Sequence, residues 1–115
     1  MTTKKILKGD IEKWELIRCG AKPLELGREL GRLCATFKAS GCDGCPMVSI
    51  GATCGRTDST WTAYKQIVDL YQRKNYLEKA QEHLEAGLWD TECPLLMCVD
   101  QLIMDMRRAL REMMK

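Results

Sequence analysis

The chain has 115 residues, is 45% hydrophobic and 30% charged, and carries a formal net charge of +2. These values suit one modest hydrophobic core and exclude a disordered or fibrous chain, while the small net charge does not by itself point to nucleic acid. No apolar run approaches the roughly 20 residues that cross a bilayer, and the opening MTTKKILKGD lacks an apolar signal region, so a cytoplasmic protein without a membrane partner is expected.

Asp10 is a good N-cap for a first helix running to about Cys19, with Ile11, Trp14 and Ile17 on its apolar face and Gly20 as a left-handed exit. Pro23 suits the first turn of a second helix. Leu26, Leu30, Leu33, Cys34 and Phe37 follow at helical spacing, and Gly27 and Gly31 on the same helix can admit a neighbouring backbone. From residue 39 to 58 helical periodicity stops, and glycines at 41, 44, 51 and 55 with Pro46 mark an irregular loop.

Asp58 or Ser59 can cap a third helix with Trp61, Tyr64, Ile67, Val68 and Tyr71 facing inward. Asn75 can start a fourth, with Leu77, Ala80, Leu84 and Leu88 inside, and the short link over 73–75 predicts an antiparallel hairpin. After Gly87, Pro94 restarts the chain into a last helix carrying Leu95, Val99, Leu102, Met106, Ala109 and Met113, widened by Leu96, Ile103 and Leu110. The fold class expected is all-α: a small bundle of about five helices in a single domain, 1–115, with a four-cysteine metal-binding loop, 39–58, between helices two and three.

Cys34, Cys42, Cys45 and Cys54 carry the chemistry. They fall in the order C-x7-C-x2-C-P-x7-C, and the two-residue spacing of Cys42 and Cys45 lets one tight turn, relaxed by Gly44, aim both thiolates at one ion. Cys54-Gly55 adds a third ligand. Cys34, at the end of helix two, is the nearest fourth, with Cys19, Cys93, Cys98 or His83 as substitutes; alternatively Cys34 is a packing residue of the apolar stripe. Seven cysteines without a signal region favour metal over a disulfide framework. Zinc is the first expectation, since a closed thiolate site stabilises a small fold without redox chemistry; a [4Fe–4S] cluster uses the same ligands.

The order of Cys34, Cys42, Cys45, Pro46 and Cys54 after a helix resembles the cluster loop of the helix-hairpin-helix DNA glycosylases of the endonuclease III family, which implies [4Fe–4S]. The likeness is confined to that loop, because the outer spacings differ and neither a hairpin-helix glycine motif nor a catalytic lysine context is present. The segment LCATFKASGCDGCPMVSIGATCG, residues 33–55, also resembles small cysteine-motif accessory proteins of phages of Gram-positive bacteria. That resemblance implies a viral protein acting in the host cytoplasm, such as an inhibitor of a bacterial defence complex in the manner of anti-CRISPR proteins. It transfers no functional residue.

Residues 1–38 hold nine Lys/Arg against five Asp/Glu, and Lys4, Lys5, Lys8, Arg28 and Arg32 can form a phosphate-contacting surface. Acids at i,i+3, Glu25 with Arg28 and Glu29 with Arg32, partly cancel that field and favour a solvated face. His83, between Glu82 and Glu85, reads as surface. Cys93 and Cys98, five apart, read as packing residues. Met104 and Met114 lie off the apolar stripe of the last helix, and their exposure would favour a protein partner or a homodimer through that helix. The chain has no G-x-S-x-G, H-E-x-x-H or G-x-x-x-x-G-K motif, so no enzyme is expected. The first expectation is a metal-stabilised helical protein-binding module. The alternatives are a nucleic-acid-binding regulator using the basic N-terminal helices and an iron–sulfur redox or sensor protein.

Overall fold

A computed structural model describes residues 2–29, 31–37, 44–50, 60–87 and 94–114. Six α-helices occur among them: α1, Thr3–Arg18; α2, Arg32–Phe37; α3, Pro46–Ser49; α4, Thr60–Arg73; α5, Leu77–Glu85; and α6, Pro94–Met113. A 3-10 turn spans Leu24–Arg28 between α1 and α2. There is no strand among the described residues, and none of their helices is long and apolar enough to cross a membrane. The proposed caps Asp58 and Ser59, and Leu30 and Leu88, lie outside the described residues.

The longest helix organises the rest. Twenty residues of α6 extend about 30 Å at 1.5 Å per residue, most of the 40 Å long axis of the molecule. Its stripe of Leu95, Leu96, Val99, Leu102, Ile103, Met106 and Ala109 is buried, as the spacing predicts; Met113, expected inside, is 37% exposed because it lies in the final turn. Opposite lies α1, whose Leu7, Ile11, Trp14 and Ile17 join the same buried cluster. Arg18 pairs with Asp100 at 2.8 Å and Glu15 with Arg107 at 3.2 Å, so residue numbers rise along one helix as they fall along the other. The two helices are antiparallel. Each half-exposed pair contributes at most about 1 kcal/mol; they set alignment more than stability.

Two expectations for the N-terminal third are corrected. The first helix begins at Thr3, where the Thr2 hydroxyl accepts from the Lys5 N–H, and Asp10 is not its cap but a buried residue of its middle, 3% exposed. Gly20 does provide the left-handed exit, at φ +84°. The continuous second helix does not form. The chain makes the 3-10 turn, becomes extended at Glu29 (φ −102°, ψ 124°), and starts α2 only at Arg32, leaving Leu26 44% exposed.

Partners from other helices explain the break. Tyr64 of α4 donates its buried hydroxyl to the Leu24 carbonyl at 2.6 Å, and Trp61 Nε1 donates to the Gly27 carbonyl at 2.9 Å. From α5, Gln81 Oε1 accepts from the Leu24 N–H at 2.7 Å; from α1, Lys13 Nζ donates to the Glu29 carbonyl at 2.6 Å. The Asp10 carboxylate accepts from both the Arg32 and Leu33 N–H groups at 2.9 Å, capping α2 from a different helix. Buried backbone groups must be paired, and here side chains supply what a helical ladder would have supplied. The glycines admit them: a Cβ on Gly27 would sit 2.3 Å from the Tyr64 ring, and one on Gly31 2.5 Å from the Asp10 carboxylate. Trp14 meets the Tyr64 ring edge to face at 5.1 Å.

The α4–α5 turn also differs in detail. Asn75 takes the left-handed conformation (φ 54°) that ends α4 rather than starting α5. Its N–H donates to the Gln72 carbonyl and that of Tyr76 to the Tyr71 carbonyl, a Schellman pattern reinforced by edge-to-face contact of Tyr71 with Tyr76. Tyr64 and Val68 of α4 and Ala80 and Leu84 of α5 are buried, as their spacing predicts.

Burial pushes the Tyr64 phenol far above its ordinary value; Arg28 opposes this rise and Cys98 adds to it. A raised native pKa stabilises fully below the unfolded tyrosine value of about 10 and loses that contribution as pH rises beyond it. Lys13 has the opposite sign: burial lowers its pKa, against Asp10 and Glu29 and with Lys22, and its contribution is common to wild type and a Tyr64 variant. Tyr64→Phe should cost about 1–2 kcal/mol near neutral pH through the orphaned Leu24 carbonyl. Chemical denaturation above pH 10 should show wild type losing up to about 1.4 kcal/mol per pH unit relative to Tyr64→Phe; parallel curves would refute this role for the phenol.

The glycines give a second contrast. A Cβ on Gly9, in the interior of α1, meets nothing within 4 Å, so Gly9→Ala should stabilise by about 0.5–1 kcal/mol. Gly27→Ala should destabilise by at least about 2 kcal/mol through overpacking. Melting curves of the two variants moving in the same direction would contradict the described packing.

Candidate metal centre

Of the four cysteines expected to bind metal, Cys34 and Cys45 lie within the described residues; Cys42 and Cys54 lie outside them, as does Cys93. Cys34 is the third residue of α2, half-buried and packed against the core. Cys45 is 7% exposed and stands in extended conformation (φ −66°, ψ 128°) immediately before α3. Gly44 has φ +83°, a left-handed geometry by which it relieves the turn before Cys45. A Cβ on Gly44 would lie 3.6 Å from Phe37, the last residue of α2. The turn ending in Cys45 therefore rests against the helix that carries Cys34, one helical turn beyond that thiol.

The segment after Cys45 is anchored to the spine. Pro46 opens α3, Met47 is 2% exposed in the core, and the Ile50 carbonyl accepts from Arg108 Nη2 of α6 at 2.8 Å. Residues 46–50, expected to belong to an irregular loop over 39–58, instead contain a helical turn, because buried Met47 and the hydrogen bond from Arg108 hold them against α6. Of the four expected ligands the structure thus describes Cys34, half-buried, and Cys45, almost fully buried, and thiolates are a ligand type that suits zinc.

Among the described residues no group of three or more His, Cys, Asp or Glu side chains is gathered to hold an ion. The substitute ligands lie on separate elements. Cys19 ends α1, exposed, with its Sγ 3.4 Å from the Leu16 carbonyl; Cys98 is half-buried against the core on α6; His83 is half-buried with its ring near Tyr76. No disulfide joins Cys19, Cys34, Cys45 and Cys98 to one another.

The basic candidates are spread over three elements. Lys4, Lys5 and Lys8 occupy the first half of α1, Lys5 and Lys8 exposed. Arg28, in the 3-10 turn, binds Asp69 and Gln72 of α4. Arg32 starts α2 with its side chain exposed and its N–H held by Asp10. The Glu29–Arg32 pair foreseen for a continuous helix straddles the point where the chain becomes extended, and Arg28 takes its counter-charge from Asp69 of α4 rather than from Glu25. An open groove of about 610 Å³ between the 3-10 turn and α5 is edged by Glu25 of the turn and Glu78, Glu82 and Glu85 of α5, so acids as well as bases surround the turn.

Sequence reasoning passed over Asp10 as an acceptor for α2. The available signal was a carboxylate on the buried stripe of Leu7, Ile11 and Trp14, where a charged group requires a partner. Comparisons of the chain with protein-family models, with curated proteins and with solved structures yield no match.

If the tetrad binds zinc, Cys45→Ser should remove the ion and lower folding cooperativity, as chelator treatment of wild type should. Cys98→Ser should keep one zinc per chain and melt closer to wild type. Elemental analysis with thermal unfolding checks this; unchanged metal content in Cys45→Ser would remove Cys45 from the site.

Proposed function

We propose that this chain is a small, metal-stabilised helical module that binds a protein partner through the outer face of α6. One observation carries the reading: Met97 and Met104 are 56% and 60% exposed, seven residues apart, on the side of α6 opposite its buried stripe. Met114 is 60% exposed at the carboxyl end. Unbranched, polarisable methionine adapts to a partner's shape, and two of them in one helical row form an anchor of the kind a docking helix uses. The buried stripe needs no help from this face.

In this reading zinc at Cys34, Cys42, Cys45 and Cys54 organises the loop and does no chemistry; a [4Fe–4S] cluster is the alternative occupant. The cysteine-segment resemblance supports a phage-encoded inhibitor of a bacterial defence complex, anti-CRISPR-like, as the specific form. A second copy of the chain, meeting α6 with α6, is the other partner this face serves. Nucleic-acid binding ranks lower because Arg28, one of its five candidate residues, already binds Asp69 and Gln72.

The test is Met97→Glu with Met104→Glu. The double variant should keep wild-type metal content and melting, since both sites are exposed, and should lose its complex. Light scattering after gel filtration reads a homodimer, whose mass should fall to that of one chain. In bacteria carrying a CRISPR system, expressing wild type should restore phage plating and the variant should not. A monomeric wild type without anti-defence activity, or a variant equal to wild type in both assays, would overturn the reading.

A further inference from the structure

We infer that the seam between the start of α1 and the end of α6 binds the phosphate backbone of double-stranded nucleic acid, a function additional to protein docking on the outer face of α6. Lys4, Lys5 and Lys8 of α1 and Arg111 of α6 carry it. The five basic residues foreseen from sequence are dispersed by the fold, but antiparallel packing gathers this different set from the two ends of the chain.

The register of the seam fixes their placement. Arg18 pairs with Asp100 and Glu15 with Arg107, so over this stretch the two helices exchange opposite charges. Following the same register at 1.5 Å per residue sets Lys8 level with Arg111 to within about one residue, and Lys4 and Lys5 level with the last turn of α6. Lys4 and Lys8 precede Glu15 by eleven and seven residues and so share the flank of α1 from which Glu15 meets α6; Arg111 follows Arg107 by one turn on the facing flank. The ladder of opposite charges therefore ends in cations on both sides. Residues 2–9 contain three lysines and no acid. Lys5, Lys8 and Arg111 are exposed and Lys4 is half-buried, and among the described residues no carboxylate forms an ion pair with any of the four. Glu112 borders Ile50 and Arg108 on the α3 side of α6, and Glu12, one turn beyond Lys8, is the exposed acid that follows the row on α1. Like charges one turn apart on a helix, as Lys4 and Lys8 are, repel; a polyanion relieves the repulsion.

The surroundings select the kind of polyanion. Packed helices stand about 8–10 Å apart, between the widths of the minor and major grooves of a duplex, about 6 and 12 Å. Cations on the two helices can thus meet phosphates of the two strands that flank one groove. Residues 3–8 and 107–114 include no aromatic side chain on which unpaired bases could stack, which favours a duplex over a single strand. The apolar faces of α1 and α6 are buried in the core, so neither helix can lay such a face into a lipid interface.

Fluorescence anisotropy of a labelled DNA duplex of about 20 base pairs, at about 50 and about 200 mM salt, tests this. The proteins are wild type, Lys8→Gln with Arg111→Gln, and a control, Arg73→Gln with Lys74→Gln, which removes the same charge from exposed positions at the end of α4. Four phosphate contacts give a slope of log affinity against log salt of about −3.6, a loss of about 150-fold over that range; with two contacts left, the slope should be about −1.8 and the loss about 12-fold. The control should keep the wild-type slope. Lys4→Gln with Lys5→Gln should reproduce the seam variant, and melting curves check that each protein is folded. No duplex binding at the lower salt, a control that loses as much as the seam variant, or a seam variant with the wild-type slope overturns the inference. So does tighter binding of a single strand of the same length. Binding to phosphatidylserine vesicles without binding to the duplex also overturns it, and would assign the seam, with exposed Met113 and Met114 beside it, to a membrane surface.

Discussion

A carboxylate in the middle of one helix holds the start of another, and the N-terminal half of the molecule depends on it. Asp10 is nearly inaccessible to solvent and spends both oxygens on the N–H groups of Arg32 and Leu33. Charge-assisted bonds of this kind are short and strong, and a helix amino terminus favours negative charge. Removing them would leave a buried charge and two buried donors without partners, the costliest kind of polar loss. The route between α1 and α2 is therefore constrained at its far end. Everything from Gly20 onward must arrive at that cap.

The path to the cap is unusual in the source of its bonds. Tyr64, Trp61, Gln81 and Lys13, on three different helices, hold the backbone of residues 24–29. Hydrogen bonds that a helix makes with itself form early and locally; these form only when α1, α4 and α5 are in place. The conformation of residues 24–29 thus depends on assembly of the bundle. This segment also leads directly to α2, whose far end meets the turn of Gly44 and Cys45. Beyond that turn, buried Met47 and the bond from Arg108 to the Ile50 carbonyl tie α3 to α6.

Division of labour on α6 gives the functional reading its physical basis. One side is a continuous apolar stripe against α1, α3 and α4. The other carries Met97 and Met104 with polar neighbours such as Gln101, which bonds Asp105. Scattered exposed apolar residues are ordinary on a protein surface, but two long thioethers in one row on the most extensively packed helix are presented on a backbone that is already fixed. The adaptable side chain of methionine is mounted here on the element with the firmest support. The basic residues lack that concentration: they are divided among α1, the 3-10 turn and α2, and Arg28 is engaged within the molecule.

The sequence by itself determined the helices whose apolar residues recur with a regular period, and it determined their inner faces. Leu95 to Ala109, Tyr64 and Val68, and Ile11 to Ile17 are buried as spacing requires, because amphipathic periodicity reports a face whatever the face packs against. The same local chemistry singled out Gly20 as a left-handed exit and Gly44 as the residue that relieves its turn. Near the candidate centre the turn before Cys45 was legible, since a glycine between closely spaced cysteines marks it. Tertiary structure alone decided the rest. Asp10 has the local signature of a cap for its own helix, and residues 23–37 have the period of one helix; both were reassigned by partners from helices distant in sequence, through the Asp10 bonds and the Tyr64 and Trp61 contacts. A window of neighbouring residues carries no trace of a hydrogen bond supplied from 40 positions away, and that is where this fold departs from its pattern.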